Sequence, residues 1–423
     1  MLDIRLLRDD PDSVKERLKT RGGDAYMLID QVLEVDVMRR ELETEKQLLQ
    51  ADRKRMSKEI GALRSRGEDT GKTEAEVRGI GDRISEIGKE ADAADTKQRD
   101  LLLQIPNVPH EDCPVGADED ANPEIRVWGE KPGFDFEPKD HVALGDELRL
   151  FSFEDGAKIS GSGFIVFRGE GAKLQRALIQ FLLDLQTEQH GYSEVNPPLL
   201  ISRDCMYGTG QLPTFEDDMY GLEENAVFLA PTAEVPVTNL LRESIVPVAD
   251  LPVKMTAHTA CFRREAGSAG RESKGMIRMH QFDKVELVAA THPDDSMAFL
   301  EELTGHAEKA LQLLGLHYRV IELCTGDIGF SSTKTYDIEV WAPGHGAYLE
   351  VSSCSSFGDY QARRMNLRFK EERKNRFCHT LNGSGTALPR LYVALLETYQ
   401  QADGTMKVPE ALVPYLRREV LGA

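Results

Sequence analysis

The sequence predicts an α+β protein whose antiparallel sheet is preceded by an antiparallel helical coiled-coil arm. Three observations support this. Apolar residues recur at heptad spacing over residues 27–66 and again over 74–105. A Pro-rich stretch then ends the helical pattern. From about residue 141, short β-rich runs alternate irregularly with a few amphipathic helices. Strands joined by hairpins and long loops fit that mixture.

The arm comes first. Residues 1–26 form a helical lead-in with Asp10-Pro11-Asp12 as a start signal and Gly22-Gly23 as its end. Val35, Leu42, Leu49, Met56 and Leu63 then repeat every seven residues, although Glu45, Asp52 and Glu59 weaken the alternate seam sites. In the second run, Val77, Ile80, Ile84, Ile87, Ala91, Ala94, Gln98, Leu101 and Ile105 follow a 3-4 spacing. SRGEDTGKT lies between the runs and can reverse the chain. The first helix would span about 60 Å at 1.5 Å per residue. Pro106-Asn107-Val108-Pro109 stops the second helix. The expected division is therefore an N-terminal domain over 1–110 with its arm at about 27–105, a linker over 111–140 and a second domain over 141–423.

In the second domain, Leu174–His190 is an amphipathic helix. Tyr192–Ile201 is an extended segment broken by Pro197-Pro198. Strands are expected at Ala226–Ala230, Val253–Arg264, Ile277–Val288, Tyr318–Leu323, Thr335–Val340 and Ala347–Ser352, with helices at Asp294–Leu314 and Arg390–Tyr399.

Composition narrows the function. The 423 residues carry a net charge of −20, which opposes nucleic-acid binding on average. The exception is RKRMSKEIGALRSR, Arg53 to Arg66, with six basic residues and one acidic one. An extended basic arm suits the backbone of a large RNA. No run of 18 apolar residues occurs and the N-terminus lacks a signal-peptide pattern, so no membrane association and a cytoplasmic location are expected. The six cysteines form no CxxC pair, so reduced thiols and no zinc are expected. GxGxxG and GxxxxGK[ST] are absent, so Rossmann and P-loop nucleotide sites are unsupported.

The most chemical stretch is Thr259–Val288. Period-two alternation puts Arg263 and Glu265 on one face of a first strand, and Phe282, Lys284 and Glu286 on one face of a second. Arginine, carboxylates and an aromatic ring converging on one surface suit a ligand with phosphate, an amine and a flat base. Met279 faces the other way in this scheme. Four further segments stand out: Pro231–Pro236, Glu350–Ser355, Leu381–Gly385 and Arg390. Each has a plain alternative. Thr232 can cap a helix, Glu350 can end a strand, Asn382-Gly383 can turn, and Arg390 can pair with an exposed acid.

Taken together, these segments resemble the seryl-tRNA synthetase family of class II aminoacyl-tRNA synthetases, of the bacterial type. FRREAGSAGRESKGMIRMHQFDKVEL is similar to motif 2, GYSEVNPPLL to motif 1 and LNGSGTALPRLYVALLE to motif 3. The likeness covers essentially the whole chain, arm included. It implies the class II antiparallel sheet flanked by helices and a two-step reaction. L-serine and ATP give seryl-adenylate, and the seryl group then moves to the 3′ end of tRNA(Ser), with tRNA(Sec) a further substrate. A homodimer and Mg²⁺ are implied with them.

The resemblance also implies residue roles. Arg263, Glu265 and Arg390 are the catalytic set. Arg263 bridges phosphate and serine carboxylate, Glu265 accepts from the adenine amine, and Phe282 and Arg390 cover the base. Arg264, Met279, Glu350, Val351, Ser352 and Ser353 complete the ATP site, with Glu350 and Ser353 on Mg²⁺. Serine falls to Thr232, Ala233, Glu234, Glu286, Asn382 and Ser384. Arg53, Lys54, Arg55, Arg271 and Lys274 are the tRNA contacts. Gly163, Leu349, Ser356 and Pro389 depart from the family's usual residues. A relative that charges a carrier protein would lack the arm, and a non-catalytic RNA-binding relative has no need of this full residue set.

Overall fold

The computed structural model describes residues 1–266 and 274–422. The chain forms two compact bodies, one of residues 1–19 and 23–106, the other of 20–22 and 107–423.

In the first body, α1 (Ile4–Asp9) and α2 (Pro11–Lys19) precede the long pair α3 (Leu28–Ser65) and α4 (Gly71–Gln104). At 38 residues, α3 is about 57 Å long. The seam is firmest at its base, where Ile29, Val32 and Val35 of α3 and Ile87, Ala91 and Ala94 of α4 are buried. Farther out the apolar heptad sites Leu42, Leu49, Met56 and Leu63 are half-buried, as two helices alone leave a seam partly open. The polar seam site Glu45 accepts from Arg83 across it at 3.3 Å.

Asp36 is fully buried at the base of the seam. Burial opposes its charge, but hydrogen bonds from Arg8 and Gln98, with the charges of Arg8 and Arg40, outweigh that and hold the carboxyl well below the usual carboxylate range. Arg8 meets it twice, at 2.6 and 2.7 Å. An ion taken out of water costs several kcal/mol unless its lone pairs are met, and here three arginines and an amide meet them.

The second body is built on an eight-stranded sheet. Its strands are β1 (Glu124–Trp128), β2 (Ser193–Glu194), β3 (Val253–Phe262), β4 (Gln281–Thr291), β5 (Tyr318–Glu322), β6 (Lys334–Ala342), β7 (Ala347–Ser356) and β8 (His379–Ala387). The spatial order is β1-β5-β6-β7-β8-β4-β3-β2, antiparallel except for β2 beside β3. The segment expected to be a linker thus supplies an edge strand. Five residues pairing against Tyr318–Ile321 give too short a pattern to read among the prolines around them.

Helices α5 (Gly169–Asp184), α6 (Glu234–Asn239), α7 (Ser296–Leu313), α8 (Tyr360–Met365) and α9 (Leu388–Tyr399) surround the sheet. The largest core lies behind it. Val285, Leu287 and Ala289 of β4, Leu381 of β8 and Val351 and Cys354 of β7 pack there with Leu178, Leu303 and Leu391 from α5, α7 and α9. Gly383 is required by this packing, because a Cβ there would come within 2.3 Å of Leu303. The alternate residues of β4 and β8 face forward and line the candidate site. The Asn382-Gly383 pair is therefore strand rather than turn.

Candidate active site

Two adjoining cavities open on the front of the sheet, of about 690 and 230 Å³. Arg263, Glu265, Arg278, Lys284, Glu350 and Ser384 border both. Thr232, Glu234 and Asn382 border the larger one alone, and Met279, Phe282 and Arg390 the smaller one alone.

The larger cavity is organised by two buried carboxylates. Glu286 is fully buried on β4. It accepts from Thr232 Oγ1 at 2.7 Å and Asn382 Nδ2 at 3.3 Å, and pairs with the Lys284 ammonium two residues away on the same strand face. Glu234, at the start of α6, accepts from Gln361 Nε2 at 2.7 Å and Asn382 Nδ2 at 3.1 Å. Thr232 also accepts from the Glu234 N–H at 3.2 Å, so it serves the helix start as well as Glu286. Burial, then the neighbouring charge of Glu286, pushes the Glu234 carboxyl up to about 7. Two carboxylates face one buried lysine here, an excess of negative charge suited to a cationic ligand group.

The smaller cavity is a slot walled by Phe282, Ile277, Met279 and Arg390. The Arg390 guanidinium donates to the Glu350 carbonyl at 2.8 Å and the Ile277 carbonyl at 3.3 Å, and lies 3.4 Å from the Glu350 carboxylate. The Arg263 guanidinium lies 5.3 Å from the Phe282 ring centroid and donates to Pro231 O at 3.2 Å. It stands where the two cavities meet.

Local geometry differs from simple alternation at four points. β3 ends at Phe262, and Glu265 lies beyond it with φ +53°, so Arg263 and Glu265 do not share a strand face. Glu265 instead ion-pairs with Arg278. Met279 precedes β4, so strand alternation does not reach it; it borders the slot and packs in the core. On β7, residues 350 and 353 would face opposite ways in a regular strand. The register shifts between Ile338↔Ser352 and Glu339↔Glu350, a bulge at Val351 that turns both Glu350 and Ser353 toward the cavity. A second shift, past Gly385 on β8, does the same for Ser384 and Ala387.

Ala233 and Val351 are buried in apolar clusters, and Ser352 donates to the Ser384 carbonyl at 2.5 Å. Their side chains border neither cavity. Arg264 is exposed and outside both. Lys274 meets Asp140 at 2.5 Å. Arg271 lies outside the described residues. On α3, Arg53 and Lys54 line a shallow groove with Gln50, Ser57 and Lys58, while Arg55 pairs with Asp52 at 2.9 Å.

Three residues to which the sequence reading gave no role support the site. Lys284 neutralises Glu286. Gln361 on α8 fixes Glu234 and is itself held by Thr380 at 2.8 Å. Asp337 on β6 is paired in register with Ser353. Burial, then the charge of Glu350, raises its pKa well above the carboxylate range, and its Oδ1 has no hydrogen-bond partner among the described residues. The oxygens of Glu350, Ser353 and Asp337 suit a hard divalent cation, although no cluster of three or more His, Cys, Asp or Glu able to hold a metal occurs among the described residues. Only the Lys284–Glu286 spacing carried a sequence signal.

The unusual residues have local explanations. A Cβ at Gly163 (φ +81°) would lie 2.4 Å from the His280 ring, which leaves no room for arginine. Leu349 packs in the core behind the sheet. Pro389 occupies the first turn of α9, where no N–H is needed. Ser356 is buried and accepts from the Gly358 N–H at 3.4 Å.

Comparison with known proteins agrees with this architecture. Residues 1–109 match the seryl-tRNA synthetase N-terminal domain, and residues 215–399 match the tRNA synthetase class II core domain (G, H, P, S and T). A serine–tRNA ligase from Akkermansia muciniphila is 65% identical over 416 residues, 98% of this chain and 97% of that one. The seryl-tRNA synthetase of Pyrococcus horikoshii, solved with ATP, superposes with a TM-score of 0.93 at 36% identity, covering 100% of this chain and 99% of that one. The cytoplasmic serine–tRNA ligase of Naegleria fowleri, solved with AMP, gives 0.89 at 27% identity, covering 100% and 98%. No helix among the described residues is long and apolar enough to cross a membrane. With both domains matched and near-complete coverage at 65% identity, the chain belongs to the seryl-tRNA synthetase family, the class II aminoacyl-tRNA ligases specific for serine.

Proposed function

We propose that this chain activates L-serine with ATP to seryl-adenylate and transfers the seryl group to the 3′ end of tRNA(Ser) and of tRNA(Sec), as a cytoplasmic homodimer. The observation that supports this best is the pair of joined cavities with Arg263 at their junction. Serine's ammonium meets Glu234 and Glu286, its hydroxyl the Thr232, Asn382 and Ser384 groups. The adenine occupies the slot between Phe282 and Arg390, with Met279 at its rim and Glu265 on the amine.

Serine's carboxylate is already ionised at neutral pH, so the step needs no general base. The carboxylate oxygen attacks the α-phosphorus and pyrophosphate leaves. Arg263 aligns the two anions and stabilises the charge that grows between them. In the second step a ribose hydroxyl of the terminal adenosine attacks the acyl carbon and AMP leaves. Mg²⁺ bound by Glu350 and Ser353 would neutralise phosphate charge. Arg53, Lys54 and Arg55 of the arm, with Arg271 and Lys274, contact the tRNA.

The direct test is ATP–pyrophosphate exchange with a panel of amino acids. Exchange with serine, and far less with alanine, is expected. A site built around a hydroxyl leaves buried polar groups unpaired when alanine binds, which gives about 10⁴-fold discrimination. Folded protein without serine-dependent exchange sinks the proposal.

A pH dependence follows from Glu234. Its pKa near 7 means that the empty site carries a proton below that pH, and binding of an ammonium must release it. The KM for serine is therefore expected to rise as pH falls below about 7, approaching tenfold per pH unit, while the KM for ATP stays level. Glu234→Gln should raise the serine KM and flatten the profile. A flat wild-type profile would remove Glu234 from the ammonium site.

A further inference from the structure

One loop of the larger cavity is held in an unusual way. Gly329, Phe330, Ser331 and Ser332 border that cavity and not the adjoining slot. Five consecutive carbonyls, Ile328 to Ser332, are all taken by two residues far away in sequence. Arg21 donates to Ile328 O at 3.0 Å, Gly329 O at 2.7 Å and Ser332 O at 3.2 Å. Asn107 takes the two between, its N–H reaching Phe330 O at 2.9 Å and its Nδ2 reaching Ser331 O at 2.9 Å. Arg21 also donates to Asn107 O at 3.2 Å, which ties the two clamps together. Asn107 Nδ2 reaches on to Phe357 O at 2.8 Å, and Phe357 too borders the cavity.

This is not ordinary charge pairing. Among the described residues Arg21 has no carboxylate partner, and burial lowers its pKa to about 10, so it remains charged at neutral pH. A guanidinium offers five donors in a fixed planar fork. Here the fork is spent on carbonyls of a single loop. An irregular loop has no ladder to satisfy its carbonyls, and its path is set by whatever donors reach it.

We propose that Arg21 and Asn107 are positioning residues for amino-acid activation, which set the path of the Ile328–Ser332 loop and thereby the shape of the serine end of the cavity. Neither touches the substrate in this scheme. The inference rests on the reading of the larger cavity as the serine site. Because the loop does not border the slot, loss of the clamp should affect serine and spare ATP.

The test uses the full chain with Arg21→Met, Arg21→Lys and Asn107→Ala. Serine and ATP KM values from pyrophosphate exchange are compared at a temperature where circular dichroism shows each variant folded. Arg21→Met is expected to raise the serine KM by about 10- to 100-fold, since small misplacements of positioning groups cost that much. The ATP KM should stay within about twofold, the split that marks loss of serine binding alone. Arg21→Lys should recover only part, because an ammonium cannot span three carbonyls. Should Arg21→Met fail to fold, Asn107→Ala, which keeps the Arg21 contacts to the loop, decides the matter by the same split. Hydrogen exchange over residues 325–335 gives a reading independent of activity and should quicken in each variant. Wild-type serine KM values in the folded variants, equal rises in both KM values, or unchanged loop exchange would each overturn the proposal. Absence of serine-dependent exchange in the wild type is a different failure, that of the cavity assignment itself.

Discussion

Replacing Arg263 by alanine is expected to reduce serine-dependent ATP–pyrophosphate exchange by about 10³-fold, close to the loss seen when one preorganised oxyanion donor is removed. The position explains the size. Arg263 follows the last residue of β3, borders both cavities and is half-buried. Two anions must meet at that junction, and a planar guanidinium can hold an oxygen of each at once. Stability should change little. Among the described residues the side chain makes one hydrogen bond, to Pro231 O, and one ring contact, to Phe282, so its loss costs about 1 kcal/mol. Arg263→Lys should recover little activity, because an ammonium is a point charge without the fork. The measurement is single-turnover adenylate formation beside a thermal melt. Exchange within about tenfold of wild type, given an unchanged melt, would refute the bridging role.

The contrast between Arg263 and its neighbours shows what a sequence can and cannot convey. Phe282, Lys284 and Glu286 were legible as one face because β4 runs unbroken against β3 through this stretch. Period two is a property of a regular strand, and it fails where regularity does. Glu265 sits at φ +53° past the strand end, and Glu350 and Ser353 share a cavity only because Val351 bulges. Neither event has a local signature, since bulges depend on the partner strand. Motif likeness still pointed to these residues, because it records the outcome of folding without deriving it. Gln361, Asp337 and Arg21 lacked even that support. Each acts through contacts more than 15 residues away in sequence, and nothing in their own neighbourhoods marks them. Heptads were the opposite case: α3 and α4 meet through local periodicity, and their extents lie within three residues of the sequence reading.

Removing the outer part of the arm should separate the two proposed chemical steps. Where to cut follows from the first body's energetics. Its base depends on Ile29, Val32, Val35, Ile87, Ala91 and Ala94, and on the buried Asp36 with Arg8, Arg40 and Gln98. Breaking a buried ion cluster of that kind costs about 3–5 kcal/mol, so a deletion reaching Asp36 would confound loss of tRNA binding with misfolding. A deletion of residues 46–82, closed by a short Gly-rich turn, leaves the base whole. It removes every basic residue from Arg53 to Arg66 and only the half-open part of the seam. Cavity residues all lie in the second body, so serine-dependent exchange should stay within about twofold of wild type. Aminoacylation of tRNA(Ser) should fall by about 10³-fold or more at physiological salt, as six cations that can meet phosphates are lost together. Salt supplies the internal control. The wild-type KM for tRNA should climb steeply with ionic strength, and the shortened chain should show a much flatter dependence. Retained charging would exclude the arm from tRNA recognition, whereas a parallel loss of exchange would mean that the second body needs the arm to fold or assemble.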